Sequence, residues 1–163
     1  MSYATNPEIR MKIREFTLDD IPKVLRLERV IFPDPWSAAA FKEQVAGEGW
    51  GGIVAESDDE IIGYACYYIV ANESHLTNMA VDPKYRRKSV AKRLLDNILQ
   101  VVTEGGCEYI FLEVRPSNSG AIAFYEKCRF EVLYRRPNYY RQPVEDALVM
   151  GRHIAKAEQN QQL

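Results

Sequence analysis

Cysteine and histidine are scarce in this chain, and where they stand excludes much. Cys66, Cys107 and Cys128 are widely spaced and include no CxxC pair, which argues against a zinc ribbon or a dithiol redox centre. Cys66 lies in an apolar run and Cys128 near a helix end, so both read as small buried hydrophobes. His75 and His153 have no metal-ligand companion close in sequence, which leaves a His-based metal site or a Ser-His-Asp triad without support. The scattered Asp and Glu residues form no spaced ligand set, so no metal is expected. No apolar run is long enough to span a membrane. With no disulfide pattern and no signal peptide, a cytoplasmic protein is expected. The formal net charge of -2 lacks the basic excess of a nucleic-acid binder. A length of 163 residues suits one domain with a sizeable core.

What is present reads as an alternation of strands and helices. Residues 1–10 form a loose leader, 11–154 the domain, and 155–163 a polar, frayed tail. Lys12 to Phe16 alternates as a first strand. Thr17 and Asp20 have the spacing of a capping box, and Ile21, Val24, Leu25 and Leu27/Glu28 make the apolar stripe of a first helix. FPDPWS is a rigid loop, and Ser37 caps a short second helix. Strands follow near Gly52 to Glu56, over Ile61 to Val70 and over His75 to Val81, joined by short turns that favour antiparallel pairing. Lys88 to Val102 is a helix with Val90, Leu94, Leu95, Ile98, Leu99 and Val102 on one side, ended by Gly105-Gly106. Tyr109 to Val114 is a central strand, parallel to its predecessor across that helix. A helix opened by Pro116 and Ser117 runs to Lys127, and strands at Phe130 to Leu133 and Val144 to Met150, joined by RRPNYY, complete the chain. The fold class is α/β, a mixed sheet of about seven strands flanked by about four helices.

Asn78 to Leu95, NMAVDPKYRRKSVAKRLL, carries the clearest chemistry. A strand, a tight turn and a helix with a small, basic first turn would offer free N–H groups and a helix dipole to an anion. Ser89 and Ala91 are small enough for close approach, and Arg86, Arg87, Lys88 and Lys92 add charge. There is no GxxxxGK[ST] and no GxGxxG, so nothing points to nucleotide hydrolysis or a dinucleotide. An ordinary basic amphipathic helix is the alternative.

The element order and this turn resemble the GCN5-related N-acetyltransferase superfamily, whose pyrophosphate loop reads Gln/Arg-x-x-Gly-x-Gly/Ala. The same frame here is Arg86-Arg87-Lys88-Ser89-Val90-Ala91, with Ser89 at the first glycine. A serine at a helix N-terminus needs no positive φ, so anion binding is expected to survive. MAVDPKYRR…AKRLL, FLEVRPSNSGAIAFYEKCRFEVLYRRPNYY, EDALVM and FPDPWS narrow the resemblance to the ribosomal-protein alanine N-acetyltransferase branch and its archaeal relatives, over roughly Lys12 to Arg152.

That resemblance implies acetyl-CoA as donor and the free N-terminal amine of a protein, such as a ribosomal protein beginning with Ala or Ser, as acceptor. It implies a cofactor cleft where two strands splay. Met79, Ala80 and Val81 would meet the pantetheine arm through their backbone, Val90 would join the phosphate turn, and Asn118 would bond the arm or cap its helix in competition with Ser117. Glu113, ending an apolar strand, would be the base, directly or through water; its bland alternative is an ion pair with Arg115. Tyr125 would be the acid that protonates the leaving thiolate; its bland alternative is an amphipathic edge. Trp36, Phe32 and Tyr139 would line the acceptor groove. Glu28 would contact the amine or lie on the surface. Arg135, Arg136 and Arg141 would pair with Glu145 and Asp146. A lysine or small-molecule amine acetyltransferase and a non-catalytic acetyl-CoA sensor are the rival readings. A monomer, a weak dimer and a subunit with a partner all remain open.

Overall fold

Thr17 and Asp20 do form a capping box, but the chain enters its first helix through a 3-10 turn, Leu18–Asp20. In the computed structural model, which describes residues 9–154, the Thr17 N–H donates to the Asp20 carboxylate at 2.9 Å. Ile9 and Met11 pack against the core; residues 1–8 of the expected leader and the expected tail at 155–163 lie outside the described residues. Strand β1 (Lys12–Glu15) precedes helices α1 (Ile21–Ile31) and α2 (Ala38–Ala46). An antiparallel run follows, β2 (Trp50–Ser57), β3 (Glu60–Val70) and β4 (Glu73–Val81). Helix α3 (Val90–Glu104), strand β5 (Tyr109–Val114), helix α4 (Ser119–Lys127) and strands β6 (Glu131–Arg141) and β7 (Val144–His153) complete it.

The seven strands form one sheet in the order β1-β2-β3-β4-β5-β7-β6, with only β4 and β5 parallel. Its two faces bury separate cores. Leu94, Leu95, Ile98 and Val102 of α3 cover Leu76, Ile110 and Leu112, with Tyr125 and Phe130 in the same layer. On the other face Val24 of α1 and Phe41 of α2 pack with Phe16, Val54, Tyr64 and Cys66. A Cβ on Gly63 would lie 3.1 Å from Leu94 and 3.0 Å from the Ala80 carbonyl, so the bare backbone there lets α3 sit close to β3. Gly106 takes φ +83° just after α3, where only glycine is unstrained, as the Gly105-Gly106 pair suggested.

Two elements depart from expectation. The residues RRPNYY do not join two late strands; they are the second half of β6, which runs eight residues beyond Leu133. The shared strand register slips between Arg136 and Tyr140, and Pro137 falls in that irregularity, where no ladder N–H is missed. Helix α3 begins at Val90 rather than Lys88.

Arg14 ties the first strand to the first turn. Its guanidinium meets Asp20 with two bonds of 2.8 and 2.9 Å and Glu56 with a third of 2.7 Å. The bond from Arg14 holds the Asp20 carboxyl below the usual aspartate range, against the opposing effect of burial. Asp20→Asn is expected to cost about 2 kcal/mol in urea unfolding at neutral pH. A depressed folded pKa stabilises above the unfolded value and is lost as pH falls through the folded one. The stability gap between the two proteins should therefore close on acidification and stay constant from pH 6 upward, about two units above the unfolded value.

Candidate active site

The cleft starts where a parallel pair fails to continue. β4 and β5 stay in register from Glu73↔Tyr109 to Leu76↔Leu112 and no further, although β4 runs on to Val81 and β5 to Val114. The cause lies on the other side of β4. Tyr67 of β3 pairs with Leu76 and Cys66 with Asn78, so Thr77 is an extra residue, a β-bulge that bends the strand away from β5. Each strand keeps its outer partner, β4 with β3 to Val81 and β5 with β7 to Val114. The expected splay is therefore present, and a cleft of about 640 Å³ opens through the sheet.

Side-chain alternation places the two expected proton-transfer groups on opposite faces. Leu112 and Val114 point into the α3 core, as does Tyr125. Glu113, between them, points to the other face, where it meets His75 Nε2 at 2.5 Å through one oxygen and Arg136 at 3.9 Å through the other. Arg115 does not pair with Glu113. It bonds the Pro143 and Gln142 carbonyls and Glu145, and lies 4.1 Å from the Tyr140 ring, pinning the β6–β7 turn. The His75 ring stacks on Tyr68 at 5.2 Å, nearly parallel, and Tyr68 lies against Trp50. His75 was not singled out from sequence. The parallel register that brings His75 of β4 beside Phe111 of β5, two residues before Glu113, cannot be read before the pairing is known.

Tyr125 is buried and wedged edge-on between Phe124 and Phe130, at 5.3 and 5.6 Å. Burial pushes its phenol well above the ordinary tyrosine value, so it is a protonated donor at neutral pH. It is the most buried side chain of α4 rather than an edge residue. Asn118 settles the competition with Ser117: its side chain accepts from the Ala121 N–H at 3.2 Å, while Ser117 donates from its N–H and hydroxyl to Glu145. Glu145 is thereby taken, and Arg135 pairs with Asp146.

The basic turn is more contorted than expected. After a 3-10 turn at Pro83–Tyr85, Arg87 and Ser89 both take left-handed backbone, φ +59° and +62°. Ser89 therefore occupies the glycine-like conformation, contrary to the expectation that it avoids positive φ. The first helical bond runs from the Arg93 N–H to the Ser89 carbonyl at 3.1 Å, so the N–H groups of Val90, Ala91 and Lys92 precede the helix ladder. Val90 itself is core, Lys92 pairs with Asp96 at 2.5 Å, and Lys88 lies 5.7 Å from the Tyr85 ring. Strain at Ser89 is about 1 kcal/mol, partly offset because glycine is freer when unfolded. Ser89→Gly should raise the melting temperature by about 1–2 °C in calorimetry.

Of the expected site residues, Glu28, Phe32, Trp36, Met79, Arg86, Glu113, Asn118, Tyr125 and Tyr139 line the cleft. Ala80, Val81, Arg87, Lys88, Ser89, Val90, Ala91 and Lys92 do not. Ala80 and Val81 pack in the two cores, leaving only their backbone for a ligand. Glu28 is not on the surface; it is 1% exposed, and its carboxylate accepts from the Trp36 N–H at 3.0 Å, from Asn78 at 3.0 Å and from the Tyr64 hydroxyl. Trp36 packs on Phe41, and Tyr139, half-exposed, meets Tyr140 edge-on. Among the described residues no group of His, Cys, Asp and Glu is arranged to hold a metal, and no helix is long and apolar enough to cross a membrane.

The model of the acetyltransferase (GNAT) family matches residues 21–130. A ribosomal protein bS18-alanine N-acetyltransferase of Salmonella typhimurium is 33% identical over 138 residues, spanning 83% of this chain and 93% of that protein. An N-alpha-acetyltransferase of Saccharolobus solfataricus is 32% identical over 161 residues, spanning 88% and 96%. The crystal structure of the ribosomal-protein-S18-alanine N-acetyltransferase from Escherichia coli superposes with a TM-score of 0.82 at 31% identity, covering 88% of this chain and 94% of that one.

Proposed function

We propose, from the premise that this chain belongs to the acetyltransferase (GNAT) family, that it moves an acetyl group from acetyl-CoA to the free N-terminal amine of a protein, with Ala or Ser first and a ribosomal protein as the acceptor class. One observation carries the reading. A buried phenol and a carboxylate stand on opposite faces of the sheet, on either side of the gap between β4 and β5. Donor and acceptor entering from opposite faces would meet there.

The residues suit the donor. The unpaired stretch of β4 past Leu76 can take an extended pantetheine arm as an added strand. The turn at Arg86 to Ser89 and the leading N–H groups of α3 suit a pyrophosphate. When bound, the thioester supplies an activated acyl carbon and a thiolate leaving group. The Met79 N–H stabilises the carbonyl oxygen as negative charge grows on it. Glu113, held by His75, removes a proton from the ammonium directly or through one water. As the C–N bond forms and the C–S bond breaks, Tyr125 gives its proton to the departing sulfur. Phe32, Trp36 and Tyr139 wall the side from which a peptide enters, and Glu28 shapes that wall from behind rather than binding the amine.

The test is turnover on peptides that differ only in their first residue, each repeated with a blocked N-terminus and an internal lysine, with free lysine and polyamines as controls. Turnover abolished by blocking, and highest for Ala or Ser, is expected. Turnover on blocked lysine peptides or on small amines would move the acceptor to the rival class. Binding of acetyl-CoA with no turnover would favour a sensor.

A further inference from the structure

Two polar side chains lie deep on the α1–α2 face, apart from the proton-transfer pair. Glu28 on α1 is 1% exposed and Gln44 on α2 is 2% exposed. Groups so deep cost free energy unless their hydrogen-bonding needs are met. Both are met by consecutive residues of β4. Thr77 donates to Gln44 Oε1 at 2.9 Å, and Asn78 donates to Glu28 Oε2 at 3.0 Å. The Gln44 amide donates in turn to the Gly51 and Tyr67 carbonyls, at 3.2 and 2.8 Å. The other Glu28 oxygen accepts the Trp36 N–H, the backbone of the FPDPWS loop. Among the described residues no cation pairs with Glu28, so its charge rests on three neutral donors, Trp36, Tyr64 and Asn78.

Thr77 is the bulge residue, and Asn78 follows it where β4 leaves β5. Neither helix can shift against this stretch without stranding a buried carboxylate or amide. We infer that Glu28 is a positioning residue that locks the Trp36 loop to the splayed segment of β4, with Gln44 holding α2 to the same segment, so that filling the donor cleft sets the acceptor wall. The inference rests on the proposed placement of the donor along β4 and of the acceptor against Trp36. Restraining β4 restrains Asn78, Asn78 restrains Glu28, and Glu28 restrains the Trp36 amide. Coupling of this kind is reciprocal, so acceptor binding would tighten donor binding by the same factor.

The Trp36 amide reports the lock directly, because its proton sits in the bond to Glu28. Hydrogen exchange at that amide would be followed with and without coenzyme A, in the native protein and in Asn78→Ala, with Asn78→Ser in its place should the alanine variant not fold. Coenzyme A should slow exchange at Trp36 about tenfold in the native protein. The variant should bind coenzyme A and show no slowing. Coenzyme A bound to the native protein without slowing, or equal slowing in the variant, overturns the lock and leaves the proposed function standing. A native protein that does not bind coenzyme A overturns both.

Discussion

Glu113→Gln is expected to lower turnover about a hundredfold at pH 7, the range for losing a general base, while the acetyl-CoA dissociation constant stays within about twofold. Glutamine keeps the volume and can still meet His75 and Arg136, so the sheet should not change. The missing function is proton removal, and that predicts a pH signature. An N-terminal amine has a pKa of about 8, so roughly a tenth is already neutral at pH 7. Raising the pH supplies the reactive form from solution, and the deficit of the variant should shrink between pH 7 and 9. Initial rates at saturating acetyl-CoA across that interval check this. A deficit that stays constant with pH would mean that Glu113 holds structure rather than takes a proton.

Tyr125→Phe should also cost about a hundredfold in turnover, without rescue by alkali. The ring remains, and with it the edge-on contacts to Phe124 and Phe130, so melting temperature and acetyl-CoA affinity should hold. Only the hydroxyl proton is lost. A thiol has a pKa of about 8.5, so its thiolate departs with less help than an alkoxide, which places this loss at the low end of the general-acid range. Single-turnover rates alongside calorimetric binding separate the two quantities. Equal losses in rate and affinity would assign Tyr125 to packing. A deficit that shrinks with pH in Glu113→Gln and holds in Tyr125→Phe would assign the base to one face of the sheet and the acid to the other.

The sequence is legible wherever one face of an element is buried. The stripe from Val90 to Val102 reports α3 because solvent and core impose different residues on its two sides, and the short apolar run of Tyr109 to Val114 reports β5, a strand flanked on both edges. The second half of β6 escapes for the opposite reason. Its residues are exposed almost throughout, so Arg135, Arg136 and Pro137 read as loop and nothing periodic marks that half as strand. Glu28 sits in the apolar stripe of α1, but a carboxylate there reads as surface until Tyr64, Asn78 and Trp36 are brought to it from three other segments. Ser89 shows how local sequence misleads at a turn, because its left-handed backbone follows from how β4 must enter α3 and not from the preference of serine. His75 and Glu113 are 38 residues apart, and only strand register makes them neighbours.

The extra residue at Thr77 has a further consequence, one of counting. In an uninterrupted strand, His75 would share its side with Thr77 and Met79. With one residue interposed, His75 opposite Tyr68, Asn78 opposite Cys66 and Ala80 opposite Tyr64 fall on one side, and Leu76, Met79 and Val81 on the other. Thr77 thus lengthens the strand without turning either flank over. Deleting it would leave Asn78 two residues after His75, so both would keep their present side. What would go is the bulge: β4 would pair with β3 in unbroken register, and the bend that carries it away from β5 would be lost. Substitution at this position alters a contact, whereas shortening by one residue closes the gap between the strands.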